Sequence, residues 1–325
     1  MNSRNIPDAL IYDSIRLLPR ELPKAGCMRE YEAFYLAAPV LSRHGIEVLP
    51  RDRRRPILLL AGTSIPICDR IDLVQDLFES GYEVATISNQ IGGLFNVSIN
   101  PKKDRVDSLR HYLQHLIDHE KVDAVDIVAQ SYSAFEVIRL LSENPAKYQS
   151  VVKSVILVNP PGFSKDTGVI KHCSRFVWHH VLKGYSSAVK SLLSRNSEAG
   201  DKKFVKREVT GISTWVYKTL KNPTRTMKEV FDIVSYVIKD TLVLLQQKYH
   251  YDVNIFLQAG DQILPLTTTL SQVEDILPDR NIKVVPGGHN DVFFQKWQRN
   301  ALFEFIKEIR LRQNVSTDGE FPAAD

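Results

Sequence analysis

Four short apolar runs, spaced by stretches of helical period, constrain this chain more than any other feature of its sequence. They are Pro56-Ile57-Leu58-Leu59-Leu60, Tyr82-Glu83-Val84-Ala85-Thr86-Ile87, Ala124-Val125-Asp126-Ile127-Val128 and Val155-Ile156-Leu157-Val158. A strand with one face in water alternates apolar and polar residues, whereas runs with so few polar positions suit strands covered on both faces. Between the first two runs, Ile71, Val74, Leu77 and Phe78 lie at the spacing of one helix face, and Gly81 stops the helix. Further helices are predicted over about 106–120 and 133–142. Strands alternating with helices in this way predict a mostly parallel α/β sheet flanked by helices. The pattern resumes at Val253–Leu257 and Ile282–Val285. It closes with a helix in which Phe294, Trp297, Ala301, Phe305 and Ile309 share a face.

From 162 to 251 the strand pattern lapses into long amphipathic stretches, which read as a helical cap inserted between core segments 51–161 and 252–312. About 16 Lys and Arg stand there against about 7 Asp and Glu, so the chain's formal charge of +4 comes from this insertion. A total so close to balance argues against a nucleic-acid-coating protein, while the basic cap suggests peripheral contact with an anionic membrane. Residues 1–50 read as a segment packing on the core, with Tyr31–Ala38 as a helix over the sheet edge, and 313–325 as a disordered polar tail. Only three cysteines occur, with no C-x-x-C pair, no apolar stretch marks a signal peptide, and no run approaches the roughly 20 residues of a membrane helix. A cytoplasmic protein is expected.

Ligands of parallel α/β sheets bind beyond the carboxyl ends of the strands, and three such ends carry reactive residues. Ala129-Gln130-Ser131-Tyr132-Ser133 places a serine on a sharp strand-to-helix turn with small residues two positions to either side. Gln258-Ala259-Gly260-Asp261-Gln262 places a carboxylate in a loop, and Pro286-Gly287-Gly288-His289-Asn290-Asp291 places a histidine after two glycines. Serine, acid and histidine follow in that chain order. Asp291 competes as the acid, but two residues from His289 it is badly placed to reach the ring; Asp166 is the better substitute. His179-His180 lacks further donors at ligand spacing, and no Gly-rich phosphate fingerprint occurs, so neither metal nor cofactor is expected.

Over residues 50–312 these segments resemble the α/β-hydrolase superfamily. The resemblance implies Ser131 as nucleophile, His289 as base and Asp261 as the acid that orients it. It also implies an oxyanion hole made by the backbone N–H groups of Thr63, after Ala61-Gly62, and of Tyr132. The implied activity is that of a serine hydrolase on a small-molecule or lipid-like carboxylic ester with an apolar acyl or alkyl group. Acyltransferases and thioesterases use the same triad. The different-class alternative is an inactive binding module on this fold. It is favoured by Ala129 and Ser133 in place of the elbow glycines and by Ala61 where the family often has histidine.

Overall fold

A computed structural model describes residues 33–36, 39–42, 45–48, 55–62, 70–87, 101–163, 237–261, 264 and 266–317. Its strands are β1 (Ala33–Leu36), β2 (Pro39–Ser42), β3 (Gly45–Val48), β4 (Ile57–Leu60), β5 (Val84–Ile87), β6 (Val125–Gln130), β7 (Val152–Val158), β8 (Val253–Gln258) and β9 (Ile282–Val285). Its helices are α1 (Ile71–Glu79), α2 (Pro101–Asp118), α3 (Ser133–Glu143), α4 (Pro145–Gln149), α5 (Lys239–Gln247), α6 (Leu266–Glu274), α7 (Asp291–Phe294) and α8 (Lys296–Thr317). Seven strands form one sheet in the order β1-β5-β4-β6-β7-β8-β9, with β4 to β9 mutually parallel and β1 antiparallel to β5. β2 and β3 form a separate hairpin.

The central strands are buried on both faces, as their continuous apolar runs require. Leu58 and Leu60 of β4 face a core that includes Leu109 and Leu113 of α2, Val137 and Leu141 of α3, and Leu242 of α5. Ile57 and Leu59 face the opposite core, with Leu73 and Leu77 of α1, Phe293 of α7 and Phe305 of α8. Each fully buried Leu, Ile or Phe stabilises the fold by roughly 1.5–3 kcal/mol relative to exposure, so these two layers supply the main driving force. From β4 the chain passes to β5 on one side and then returns to β6 on the other. The strand order therefore reverses between β4 and β6, and the carboxyl ends of strands at such a reversal are where ligands of parallel α/β sheets bind.

Four expectations change. Ala33–Leu36 is not helical but the edge strand β1, because the open edge of β5 offers backbone partners that outweigh a weak local preference. The end of the predicted cap contains α5, whose Leu242 and Leu245, with Ile238, pack in the sheet core. The predicted tail is helical as far as Thr317, and the Gln313 amide reaches Lys153 O at 3.0 Å and Asp252 Oδ2 at 2.6 Å. The closing helix is broken at Gln295, which is extended (φ −102°, ψ 121°), so its phase resets between α7 and α8. Trp297, in the first turn of α8, is 47% exposed, because a strict four-residue spacing drifts around a helix of 3.6 residues per turn; the buried stripe runs through Leu302, Phe305, Ile306 and Ile309. No helix among the described residues is long and apolar enough to cross a membrane.

Candidate active site

β6 ends at Gln130 and α3 begins at Ser133, leaving Ser131 and Tyr132 to turn the chain sharply. Ser131 has φ +54°, in the left-handed region that non-glycine residues seldom occupy. It is held there by Ser131 N–H donating to Val158 O at 2.8 Å and by Ala134 N–H donating to Ser131 O at 3.0 Å. The small neighbours have work of their own. Ala129 is fully buried between the flanking layers, and the Ser133 hydroxyl donates to Ala61 O at 2.6 Å, fixing the end of β4 beside the turn.

His289 closes onto this serine from the loop after β9. Its Nε2 lies 2.9 Å from Ser131 Oγ and its Nδ1 2.5 Å from Asp261 Oδ2. A carboxylate can only accept, so the proton belongs on Nδ1; in the neutral ring Nε2 then offers its lone pair to the serine hydroxyl. The Asp261 side chain is 1% exposed and that of His289 9%, so water competes little for either bond. The remaining carboxylate oxygen, Oδ1, accepts the Leu264 N–H at 2.9 Å. The acid loop is docked directly on the base loop: Ala259 N–H donates to Val285 O at 2.7 Å and Gly260 N–H to Gly287 O at 2.8 Å.

Asp291 is occupied otherwise. Its Oδ2 accepts the Gly288 N–H at 2.7 Å, bracing the turn that carries His289, and burial raises its pKa above the ordinary carboxylate range. Tyr132 is the N-cap of α3 with helical φ and ψ (−55°, −31°), so its backbone N–H sits at the positive end of the helix beside Ser131. Its ring is buried under the Arg105 guanidinium, 4.9 Å from the centroid, and Arg105 pairs with Glu136 at 3.2 Å. Thr63, Asp166, His179-His180 and the cap from 164 to 236 lie outside the described residues.

Thus Ser131, His289 and Asp261, 158 and 28 residues apart in sequence, form one hydrogen-bonded line. Such a line can draw a proton from the hydroxyl as it attacks a carbonyl. What sequence reading misses is a layer of carboxamides beneath it: Gln130, Asn159, Gln258 and Gln298. A signal for three of them is present, since β6, β7 and β8 each run into a Gln or Asn at the carboxyl end.

No protein-family model and no curated protein matches this sequence, but many solved structures share its fold. A carboxylesterase structure from the ammonia-oxidizing thaumarchaeon Nitrososphaera gargenis matches at 15% identity and TM-score 0.56, covering 87% of this chain and 97% of the other. An α/β hydrolase from a Medee basin deep-sea metagenome library matches at 15% identity and TM-score 0.55, over 86% and 95% of the two chains. A putative lipase from Acinetobacter baumannii matches at 13% identity and TM-score 0.58, over 89% and 91%.

Proposed function

We propose, on the premise that this chain has the α/β-hydrolase fold, that it is a serine hydrolase of carboxylic esters bearing an apolar acyl or alkyl group. The observation that carries this reading is the line Ser131 Oγ to His289 Nε2 to Asp261 Oδ2, together with a serine held at positive φ ahead of a helix N-terminus. The carboxylesterase and the protein described as a putative lipase, which share the fold, support an ester as the bond cleaved.

Ser131 Oγ attacks the ester carbonyl carbon as His289 Nε2 takes its proton, while Asp261 holds the ring and stabilises the imidazolium. The backbone N–H of Tyr132, at the start of α3, would receive the developing oxyanion, with the Thr63 N–H as the second donor that the family resemblance implies. One such donor is typically worth about 3–4 kcal/mol of barrier. Collapse expels the alcohol, which leaves with the proton from Nε2; a water then attacks the acyl-serine, giving a proton to His289, and His289 passes it to Ser131 Oγ as that oxygen leaves and the acid is freed. An acyl transfer would differ only in the acceptor of this last step.

The test is p-nitrophenyl ester hydrolysis across acyl lengths, beside fluorophosphonate labelling, for wild type and Ser131→Ala. Turnover and labelling that both disappear with Ser131→Ala support the reading. A folded wild type that neither labels nor turns over any ester sinks it.

A further inference from the structure

Beneath the serine, histidine and aspartate lies a continuous set of uncharged amides that the proposed chemistry does not use. Gln130, Asn159, Gln258 and Gln298 are each at most 2% exposed. Gln130 Oε1 accepts the Gly62 N–H at 2.7 Å, and its Nε2 donates to His289 O at 3.2 Å and to Asn290 Oδ1 at 3.1 Å. Asn159, itself at φ +44°, accepts the Gln258 N–H on Oδ1 at 2.8 Å and donates from Nδ2 to His289 O at 3.2 Å and to Gln258 Oε1 at 2.5 Å. Gln258 Nε2 donates to Gln298 Oε1 at 3.1 Å, and Gln298 Nε2 donates to Pro286 O.

The direction of every amide is forced. Gly62 N–H and Gln258 N–H can only donate, and the carbonyls of His289 and Pro286 can only accept, so each carboxamide between them must turn its oxygen one way and its nitrogen the other. The His289 carbonyl thereby receives two N–H donors, one from each side. Gly62 approaches Gln130 so closely that a Cβ there would lie 2.7 Å from Oε1 and 3.1 Å from Ser131 Cβ.

Building on the proposed hydrolase mechanism, we infer that Gln130 is a positioning residue: one carboxamide, bonded in sequence to Ser131, holds the oxyanion loop at Gly62 and the base loop at His289 in fixed register. Asn159 is the second hold on the same carbonyl. Only an amide fits this place. Methionine has the length but no donor and only a weakly accepting sulfur, leaving the Gly62 N–H without its Oε1 acceptor and the His289 carbonyl with one donor fewer. Glutamate satisfies Gly62 but sets a negative oxygen against His289 O and Asn290 Oδ1, next to where the oxyanion develops. Displacing a reacting group by about 1 Å costs on the order of 100-fold in rate, which sets the scale of the effect.

The experiment compares wild type, Gln130→Met and Gln130→Glu in ester turnover and in proton NMR of the substrate-free protein. The hydrogen-bonded Nδ1 proton of His289 gives a far-downfield signal of its own. Gln130→Met is expected to lower kcat about 100-fold with KM changed less than threefold, and to shift or broaden the Nδ1 signal; Gln130→Glu is expected to lower kcat further. A melting temperature that falls while kcat, measured well below it, stays within threefold and the Nδ1 signal stays in place overturns the inference. Should neither of these variants fold, Gln130→Asn, whose amide is one methylene too short to reach the Gly62 N–H and the His289 carbonyl together, carries the same readouts with a kcat loss of about tenfold; an unchanged kcat and Nδ1 signal again overturn it. If wild type hydrolyses no ester, the hydrolase reading fails while the NMR comparison still decides the positioning role.

Discussion

The two ends of the sheet are stapled by opposite kinds of polar contact. At the carboxyl end, beneath Ser131 and His289, the staples are neutral amides. At the amino end they are charges. Asp126, at the start of β6 and fully buried, accepts from the Arg55 guanidinium, from Ser154 Oγ at 2.5 Å and from Arg310 Nε at 2.8 Å, tying α8 under the sheet. Arg310 also donates to Arg55 O at 2.7 Å and stacks on Tyr82 at 4.8 Å. Both networks fix helices and loops across several strands, yet only one can carry formal charge without harm. Fields are strong in a low-dielectric interior, so a fixed ion beneath His289 would bias its protonation and the developing oxyanion. Amides hold the same geometry with no net charge and no titration. The amino end has no reaction to disturb and can use stronger, charge-assisted bonds.

That contrast can be broken at either end. Asp261→Asn removes the carboxylate that holds the His289 ring and turns an NH₂ toward Nδ1; kcat/KM is expected to fall about 10⁴-fold with the melting temperature nearly unchanged. Gly287→Ala attacks the amide layer by volume: at φ +121° a Cβ would overlap the Gln298 amide. About 4 kcal/mol of stability in urea unfolding and most of the activity should be lost together. Asp126→Asn, by contrast, should cost about 3 kcal/mol of stability while leaving kcat within twofold, because it strips two arginines of their partner far from the site. A change in kcat as large as that of Gln130→Met would mean that the ends are not independent.

The smallest effect concerns pH. Tyr251, just before β8, donates to Pro145 O at 2.6 Å, and burial, with Tyr148 nearby, pushes its pKa up to about 12. An unfolded tyrosine ionises near 10, so the stability it contributes is complete below pH 10 and drains away between 10 and 12. Tyr251→Phe should cost about 1 kcal/mol at neutral pH and flatten the alkaline fall in melting temperature.

The parallel strands were legible because burial on both faces leaves an apolar run that nothing else explains. Ser131, Asp261 and His289 were legible because each follows such a run. β1 was hidden, since an edge strand of four residues owes its form to the open side of β5 rather than to its own sequence. The break at Gln295 was hidden for a related reason: α7 and α8 each carry helical spacing, and only packing shows the two phases to be out of step. The amides escaped attention because a glutamine at a strand end carries no chemical reputation. Its importance lies in which backbone groups stand opposite it.

The backbone of Ser131 bears on how an inactive form should be made. At φ +54° an alanine keeps the strain of the native turn, about 1 kcal/mol, whereas a glycine relieves it. Ser131→Gly should therefore melt higher than Ser131→Ala, yet it is the poorer trap for an intact substrate, since a relaxed turn no longer aims the Tyr132 N–H. The protein is thus expected to be hardier once disarmed, and the variant that best preserves a snapshot of substrate is the one that keeps the tension.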